Sequence, residues 1–271
     1  MSKTIAIMGC GWLGLPLAKK FIEKGYTING STTSEGKLNS LLAQGIQPFL
    51  ISLSETEIIG DLPLFLNNAD VLILNVPPKL RGTNKENYVR KMLLVLHALK
   101  SSPIKQVVFV SSTSVYGDVD GEVTEETPPE PSTESGKQLL ECEQLFQNEI
   151  GYDTTIIRFG GLIGPNRYPV TMLSKRKNLK NGNFPINLIH LNDCVEIILK
   201  SVEDSWQSEL INAVFPFHPS KKEYYTLHAT KNKLQLPEYK EDTDTEVTKK
   251  GKLILSYKLT NVLGFRFNTT V

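Results

Sequence analysis

Ile5-Ala6-Ile7-Met8-Gly9-Cys10-Gly11-Trp12-Leu13-Gly14 opens the chain just inside its N-terminus. Ile5 to Met8 has the length and β-branched content of a buried strand. The run breaks into Gly9-x-Gly11-x-x-Gly14 and continues as a helical pattern. Leu13, Leu17 and Phe21 recur four apart, Ala18 and Ile22 fill the same stripe, and Lys19, Lys20, Glu23 and Lys24 take the opposite face. Strand, glycine turn and helix in this order aim backbone N–H groups and the positive helix end at a pyrophosphate. Gly9 suits the tight turn, Gly11 the close approach of phosphate, and Gly14 close helix–strand packing. The motif sits in the context that dinucleotide binding requires.

Working outward, Tyr26 to Gly30 reads as a second strand that ends in Ser31-Thr32-Thr33-Ser34. In units that prefer NAD an acidic residue near this point receives the ribose 2′-hydroxyl. None occurs before Glu35, and small hydroxyls with Lys37 nearby suit a 2′-phosphate, so NADP(H) is the preferred cofactor and NAD the alternative. Capping of the next helix is the other role open to Ser31–Ser34. Pro48–Leu53 and Asp70–Val76 read as third and fourth strands, the latter closed by Pro77-Pro78. Asn84 to Leu99 reads as an amphipathic crossover helix, with His97 as an ordinary helix residue. Gln106–Val110 leads into Ser111-Ser112-Thr113-Ser114-Val115-Tyr116-Gly117, a hydroxyl cluster at a strand's carboxyl end, where ligands collect in α/β sheets. Ser132 to Ile150 is helical in pattern, and Thr154–Phe159 is a further strand. This alternation predicts an α/β fold, a doubly wound parallel Rossmann sheet. Leu210–Val214 supplies its last strand.

Composition narrows the function. The chain has 271 residues and a net charge of +1, so no broad field favours nucleic acid or an anionic membrane. Cys10, Cys142 and Cys194 are widely spaced, with no CxxC pair, which reads as reduced intracellular thiols with neither a disulfide framework nor a metal site. No run reaches membrane-spanning length. A cytoplasmic protein with a small-molecule substrate is expected, and neither nucleic acid nor membrane as partner.

Four motifs in order, Gly9-x-Gly11-x-x-Gly14, Ser111-Ser112-x-x-Val115-Tyr116-Gly117, Glu126-Thr127-Pro128-Pro129 and Arg158-Phe159-Gly160-Gly161-Leu162-Ile163-Gly164-Pro165, resemble the extended short-chain dehydrogenase/reductase family. That family includes the NAD-dependent epimerases and dehydratases of nucleotide sugars. Ile189-His190-Leu191-Asn192-Asp193, and the ending Leu255-Ser256-x-Lys258-Leu259 with Leu263-Gly264-Phe265, fit the same resemblance. It implies a Rossmann domain over 1–164, completed by 186–214, and a small substrate lobe from 165–185 and 215–271. The resemblance also implies that two copies pair as a homodimer through helices such as 84–99 and 132–150.

The departure from the family concerns chemistry. Its members carry a Tyr and a Lys four apart on one helix face. The ammonium brings a phenol of pKa ~10 toward working pH, and a Ser or Thr on the facing strand completes the set. Lys137 stands at the Lys position and Ser112 at the Ser/Thr position, but Thr133 occupies the Tyr position. A threonine hydroxyl does not ionise near neutral pH. Thr113 and Ser114 replace the acidic pair of the sugar dehydratases, which argues against that reaction. The candidate catalytic residues are therefore Ser112, Lys137 and Tyr116, with Tyr168 a lesser alternative and His190 assigned to packing. Candidate cofactor contacts are Gly9, Gly11, Trp12, Leu13, Gly14, Ser31, Thr32, Thr33, Asn75, Val76 and Lys137. Two functions stay open: an atypical NAD(P)-dependent oxidoreductase or epimerase acting on a nucleotide sugar or small carbonyl compound, and a catalytically silent NADP(H) sensor or interaction protein. A 3-hydroxyacid dehydrogenase, suggested by Val76-Pro77-Pro78, lacks room for its helical second domain. Further on, Asn166–Phe184 reads as a loop, Asn192–Val202 as a helix capped by Asn192, and Lys240–Lys252 as a charged connection. Ser220 and Glu223 have capping-box spacing.

Overall fold

Seven strands, the central ones apolar runs covered on both faces, make a wholly parallel central sheet. They are seen in a computed structural model that describes residues 3–78, 80, 86–240 and 250–271. The sheet strands are β1 (Thr4–Met8), β2 (Thr27–Thr32), β3 (Gln47–Leu50), β4 (Val71–Leu74), β5 (Gln106–Ser112), β6 (Asp153–Phe159) and β7 (Leu210–Ala213). Their spatial order is β7-β6-β5-β4-β1-β2-β3. The chain winds outward one way from β1 to β3, then restarts beside β1 with β4 and winds the other way. The order reverses at the β1/β4 boundary, where such sheets open a crevice at their carboxyl ends.

Helices α1 (Gly14–Glu23) and α4 (Leu191–Glu203) cover one face, and α2 (Tyr88–Leu99) and α3 (Glu134–Gln147) cover the other. Leu17, Phe21, Ile28, Ile197, Ile198 and Trp206 are buried in the first layer. Met92, Val95, Phe109, Phe146 and Ile156 are buried in the second. Leu259 and Phe265, near the C-terminus, pack into the first layer as well. A third, smaller apolar cluster joins Ile163, Val170, Ile186 and Leu188 to Tyr224, Tyr225 and Ala229 of α5 (Lys221–Lys231). The capping box at the start of α5 is present, with Ser220 Oγ and the Glu223 carboxylate each accepting the other residue's backbone N–H.

Several local expectations need correction. β2 runs on through Ser31 and Thr32, because hydrogen bonding to β3 reaches Thr32. The strand expected over Pro48–Leu53 breaks at Ile51, and Ser52–Leu53 instead forms a short antiparallel pair with Ile58–Ile59. α2 begins at Tyr88, where the Asn87 side chain caps it by accepting the Arg90 N–H; Asn84 lies outside the described residues. His190, not Asn192, caps α4: its Nδ1 accepts the Asn192 N–H at 3.2 Å. A short helix, Pro169–Leu173, interrupts the expected loop. Of the charged connection, residues 241–249 lie outside the described residues, and Lys252 already belongs to a strand, Lys252–Ile254, paired with Gly121–Val123.

Candidate active site at the carboxyl edge of the sheet

The glycine turn is built by close backbone approach. Gly9 has φ +103°, and a Cβ there would come within 2.6 Å of the Asn75 carbonyl oxygen. A Cβ on Gly14 would run into the Gly9 carbonyl oxygen. Both positions therefore exclude every side chain. Neighbouring strands hold the turn in place. Gly9 N–H donates to Ser31 Oγ at 2.9 Å, Cys10 N–H to the Ser31 carbonyl at 2.8 Å, and Asn75 Nδ2 to the Gly9 carbonyl at 3.0 Å. Cys10 packs behind the turn, where burial pushes its thiol up to about 12, so it stays a neutral packing group.

Gly11 differs from the other two. A Cβ on it would meet no protein atom within 4 Å, so the space above it is open to a ligand. The N–H groups of Trp12 and Leu13 have no protein acceptor among the described residues, and no side chain caps α1. Unpaired amides at a helix start, beside an open glycine, fit the diphosphate of a dinucleotide. The Trp12 indole donates Nε1–H to the Pro165 carbonyl at 2.8 Å, and the Arg167 guanidinium lies 5.0 Å from the centre of its ring. The turn is thus tied to the loop after β6, a link that no local pattern announces.

The other cofactor candidates divide by exposure. Asn75 and Val76 lie at the end of β4 beside the turn, and the Val76 carbonyl accepts the Tyr88 hydroxyl at 2.8 Å. Ser31 and Thr32 are buried; Ser31 braces Gly9, and Thr32 Oγ1 accepts the Ser34 N–H. Thr33 is exposed, together with Ser34, Glu35 and Lys37.

Of the catalytic candidates, Ser112 ends β5 and its Oγ accepts the Ser114 N–H at 3.2 Å. The first turn of α3 abuts the same place, since a Cβ on Gly136 would stand 2.9 Å from the Ser114 carbonyl oxygen. Lys137, in that turn, is exposed. Helix start and strand end therefore bring Lys137 and Ser112 into one neighbourhood. Thr133 is the N-cap of α3, its Oγ1 accepting the Gly136 N–H at 3.1 Å. Thr133→Ala is accordingly expected to lower stability by about 1 kcal/mol, read as a shift of the urea midpoint at constant m. Unchanged stability with lost activity would give the hydroxyl a chemical role instead.

Tyr116 is a correction. It is fully buried, its hydroxyl donates to Asn212 Oδ1 at 2.9 Å, and burial raises its pKa. A phenol with no solvent or ligand access cannot deliver a proton to substrate, so Tyr116 is a packing residue. Tyr168 is half exposed at the start of the Pro169–Leu173 helix. Beneath the site lies a group that sequence reasoning missed: Glu143 of α3 pairs with Arg158 of β6, two contacts from Nε at 3.1 Å and one from Nη2 at 2.5 Å. Ser111 Oγ donates to the same carboxylate, and the Arg158 guanidinium lies over the Tyr116 ring. No spacing in the sequence signals the pair, because its members are 15 residues apart on a helix and a strand. A cavity of about 630 Å³ lies at the opposite, amino edge near Lys105, Tyr152 and Asp153, away from the topological switch where such sheets bind ligands.

Comparison with known proteins agrees with this fold. The model of the NAD dependent epimerase/dehydratase family matches residues 5–213. The protein YeeZ of Escherichia coli K12 is 32% identical over 267 residues, 98% of this chain and 96% of YeeZ. A conserved protein from Silicibacter pomeroyi superposes with a TM-score of 0.77 at 22% identity, covering 98% of this chain and 94% of that one. UDP-glucuronic acid 4-epimerase from Bacillus cereus, solved with NAD, superposes with a TM-score of 0.78 at 19% identity, covering 98% and 94%. No described helix is long and apolar enough to cross a membrane.

Proposed function

Since the chain belongs to the NAD dependent epimerase/dehydratase family, we propose that it is an atypical NAD(P)-dependent oxidoreductase or epimerase-like protein acting in the cytoplasm on a small carbonyl compound or nucleotide sugar. The single observation that carries the reading is the open Gly11 turn with its unpaired Trp12 and Leu13 amides. These amides would hold the cofactor's diphosphate, and Asn75 and Val76 would flank it. A bound nicotinamide would supply hydride transfer. Lys137 would orient the nicotinamide ribose, with Ser112 placing the substrate oxygen beside it. Residues 165–185 and 215–271 would form the substrate lobe against the Rossmann domain of 1–164 and 186–214. Two copies would pair through the α2 and α3 faces.

NADP(H) is the preferred cofactor in this reading. What supports it is the absence of an acidic residue from Ser31 to Ser34, with exposed Thr33 and Lys37 beyond β2. Parallel calorimetric titrations with NADPH and NADH test the choice. A preference for NADH above tenfold, about 1.4 kcal/mol, sinks it.

A second reading, a silent NADP(H) sensor, draws support from Thr133 serving as a cap and Tyr116 being sealed in. Lys137→Ala separates the two readings. For an enzyme, turnover on a panel of carbonyl substrates should fall by about two orders of magnitude, the scale of one positioned acid–base group, with the fold unchanged. Tight NADPH binding with no turnover by the wild-type protein would favour the sensor.

A further inference from the structure

A second cavity, about 320 Å³, opens between the turn after β5 and the third apolar cluster, with Thr113, Gly117, Phe184, Lys221, Tyr225 and Lys252 in its wall. Two of these residues are half-buried lysines. Lys252 Nζ donates to the carbonyls of Thr113 at 3.2 Å and Gly117 at 2.7 Å. An ammonium has three donors, so one remains. Lys221 Nζ lies 5.3 Å from the centre of the Phe184 ring, and this ammonium makes neither a hydrogen bond nor an ion pair among the described residues. Burial pulls the pKa of both lysines down, and each is pulled down less because Asp118 stands near. Asp118 is exposed at the rim, so two cations face one solvated carboxylate. A half-buried ammonium beside a ring face and one solvated carboxylate keeps its three donors free for a ligand, and an oxyanion is the partner that suits them.

We infer that this cavity binds the anionic end, a carboxylate or phosphate, of a compact small-molecule substrate, with Lys221 as the ammonium that pairs with it. Lys252, already fixed by two carbonyls, offers its remaining hydrogen to the same cavity. Thr113, in the cavity wall, follows Ser112 directly, so the cavity borders the candidate catalytic edge. The inference rests on the proposed function for that edge and names the substrate class it serves. The volume stands at the low end of small-molecule sites and suits a phosphorylated or carboxylated monosaccharide better than a whole nucleotide sugar.

The test uses the full chain and three probes: ribose 5-phosphate, glucuronate, and neutral ribose as control. NADPH affinity is measured first, and each probe is then titrated by calorimetry with and without saturating NADPH. An absent NADPH response counts against the cofactor reading alone, because the probe titrations read the cavity independently. One or both anions should bind the wild type and ribose should not, and the anion that binds identifies the class. Lys221→Met should weaken that binding about tenfold or more, the scale of one hydrogen bond to a charged group. The exposed neighbour Lys222, changed to Met, should leave it unaltered. In the wild type, the bound probe should also protect Lys221 from amine acylation read by mass spectrometry, a measurement that needs no variant. Neither anion binding better than ribose, equal affinity in Lys221→Met, or acylation of Lys221 undiminished by the probe overturns the inference.

Discussion

Gly11→Val is expected to leave the melting temperature unchanged and to weaken NADPH binding about a hundredfold or more, the loss of two hydrogen bonds to a charged group at ~1.5–3 kcal/mol each. The reason is local. The added Cβ meets no protein atom within 4 Å, so the fold has nothing to accommodate. The branched side chain instead fills the space in front of the Trp12 and Leu13 amides. Gly14→Ala is expected to do the reverse, because its Cβ collides with the Gly9 carbonyl oxygen. The helix must then back away from β1, at a cost on the scale of overpacking, about 1–3 kcal/mol. Thermal melts and calorimetry on the two variants give a crossed pattern that a purely structural turn would not. If Gly11→Val bound NADPH like the wild type, the diphosphate would not sit at this turn.

Glu143→Leu should be the most destabilising single change at the site, by about 3–5 kcal/mol, because it leaves a buried guanidinium without its carboxylate. Arg158 is 3% exposed and Glu143 1%, so water cannot take the place of the lost partner. Arg158 Nη1 already has no hydrogen-bond partner among the described residues, and Ser111 would lose its acceptor too. The double variant Glu143→Leu with Arg158→Leu removes both charges and should recover most of the stability, since well-packed apolar replacements of buried pairs are often neutral. Urea unfolding of the two single variants and the double variant measures the coupling. Additive losses in the double variant would mean that packing, rather than the pair's charges, holds α3 against the sheet. Because α3 also carries Thr133 and Lys137, the single variant should loosen the candidate site as well.

The elements that matter most were legible because their signals are local. A strand buried on both faces reads as an apolar run, and Ile5–Met8 needs no partner to show it. Gly9 and Gly14 announced a turn whose backbone no side chain can share, and the structure gives each a clash that explains the choice. Ser220 and Glu223 reach each other across one helical turn, so their box was readable from spacing. Other expectations failed where the deciding contact came from far along the chain. Tyr116 sits at the right strand end in sequence, but Asn212 on β7 and Arg158 on β6 enclose it. Ser31 Oγ accepts the Gly9 N–H, a partner 22 residues away that no local pattern shows.

By itself, the order of residues determined the parallel α/β sheet and the glycine turn at its first strand, and it sets Thr133 four residues before Lys137, since each rests on neighbours within about one helical turn or one strand. Only the tertiary structure decided that Glu143 meets Arg158, that Trp12 reaches Pro165 and that Lys221 and Lys252 share a cavity. Those groups lie on elements 15 to 153 residues apart, or on either side of a cavity that both elements enclose. Burial, which fixes what such side chains do, exists only once the layers have closed over them.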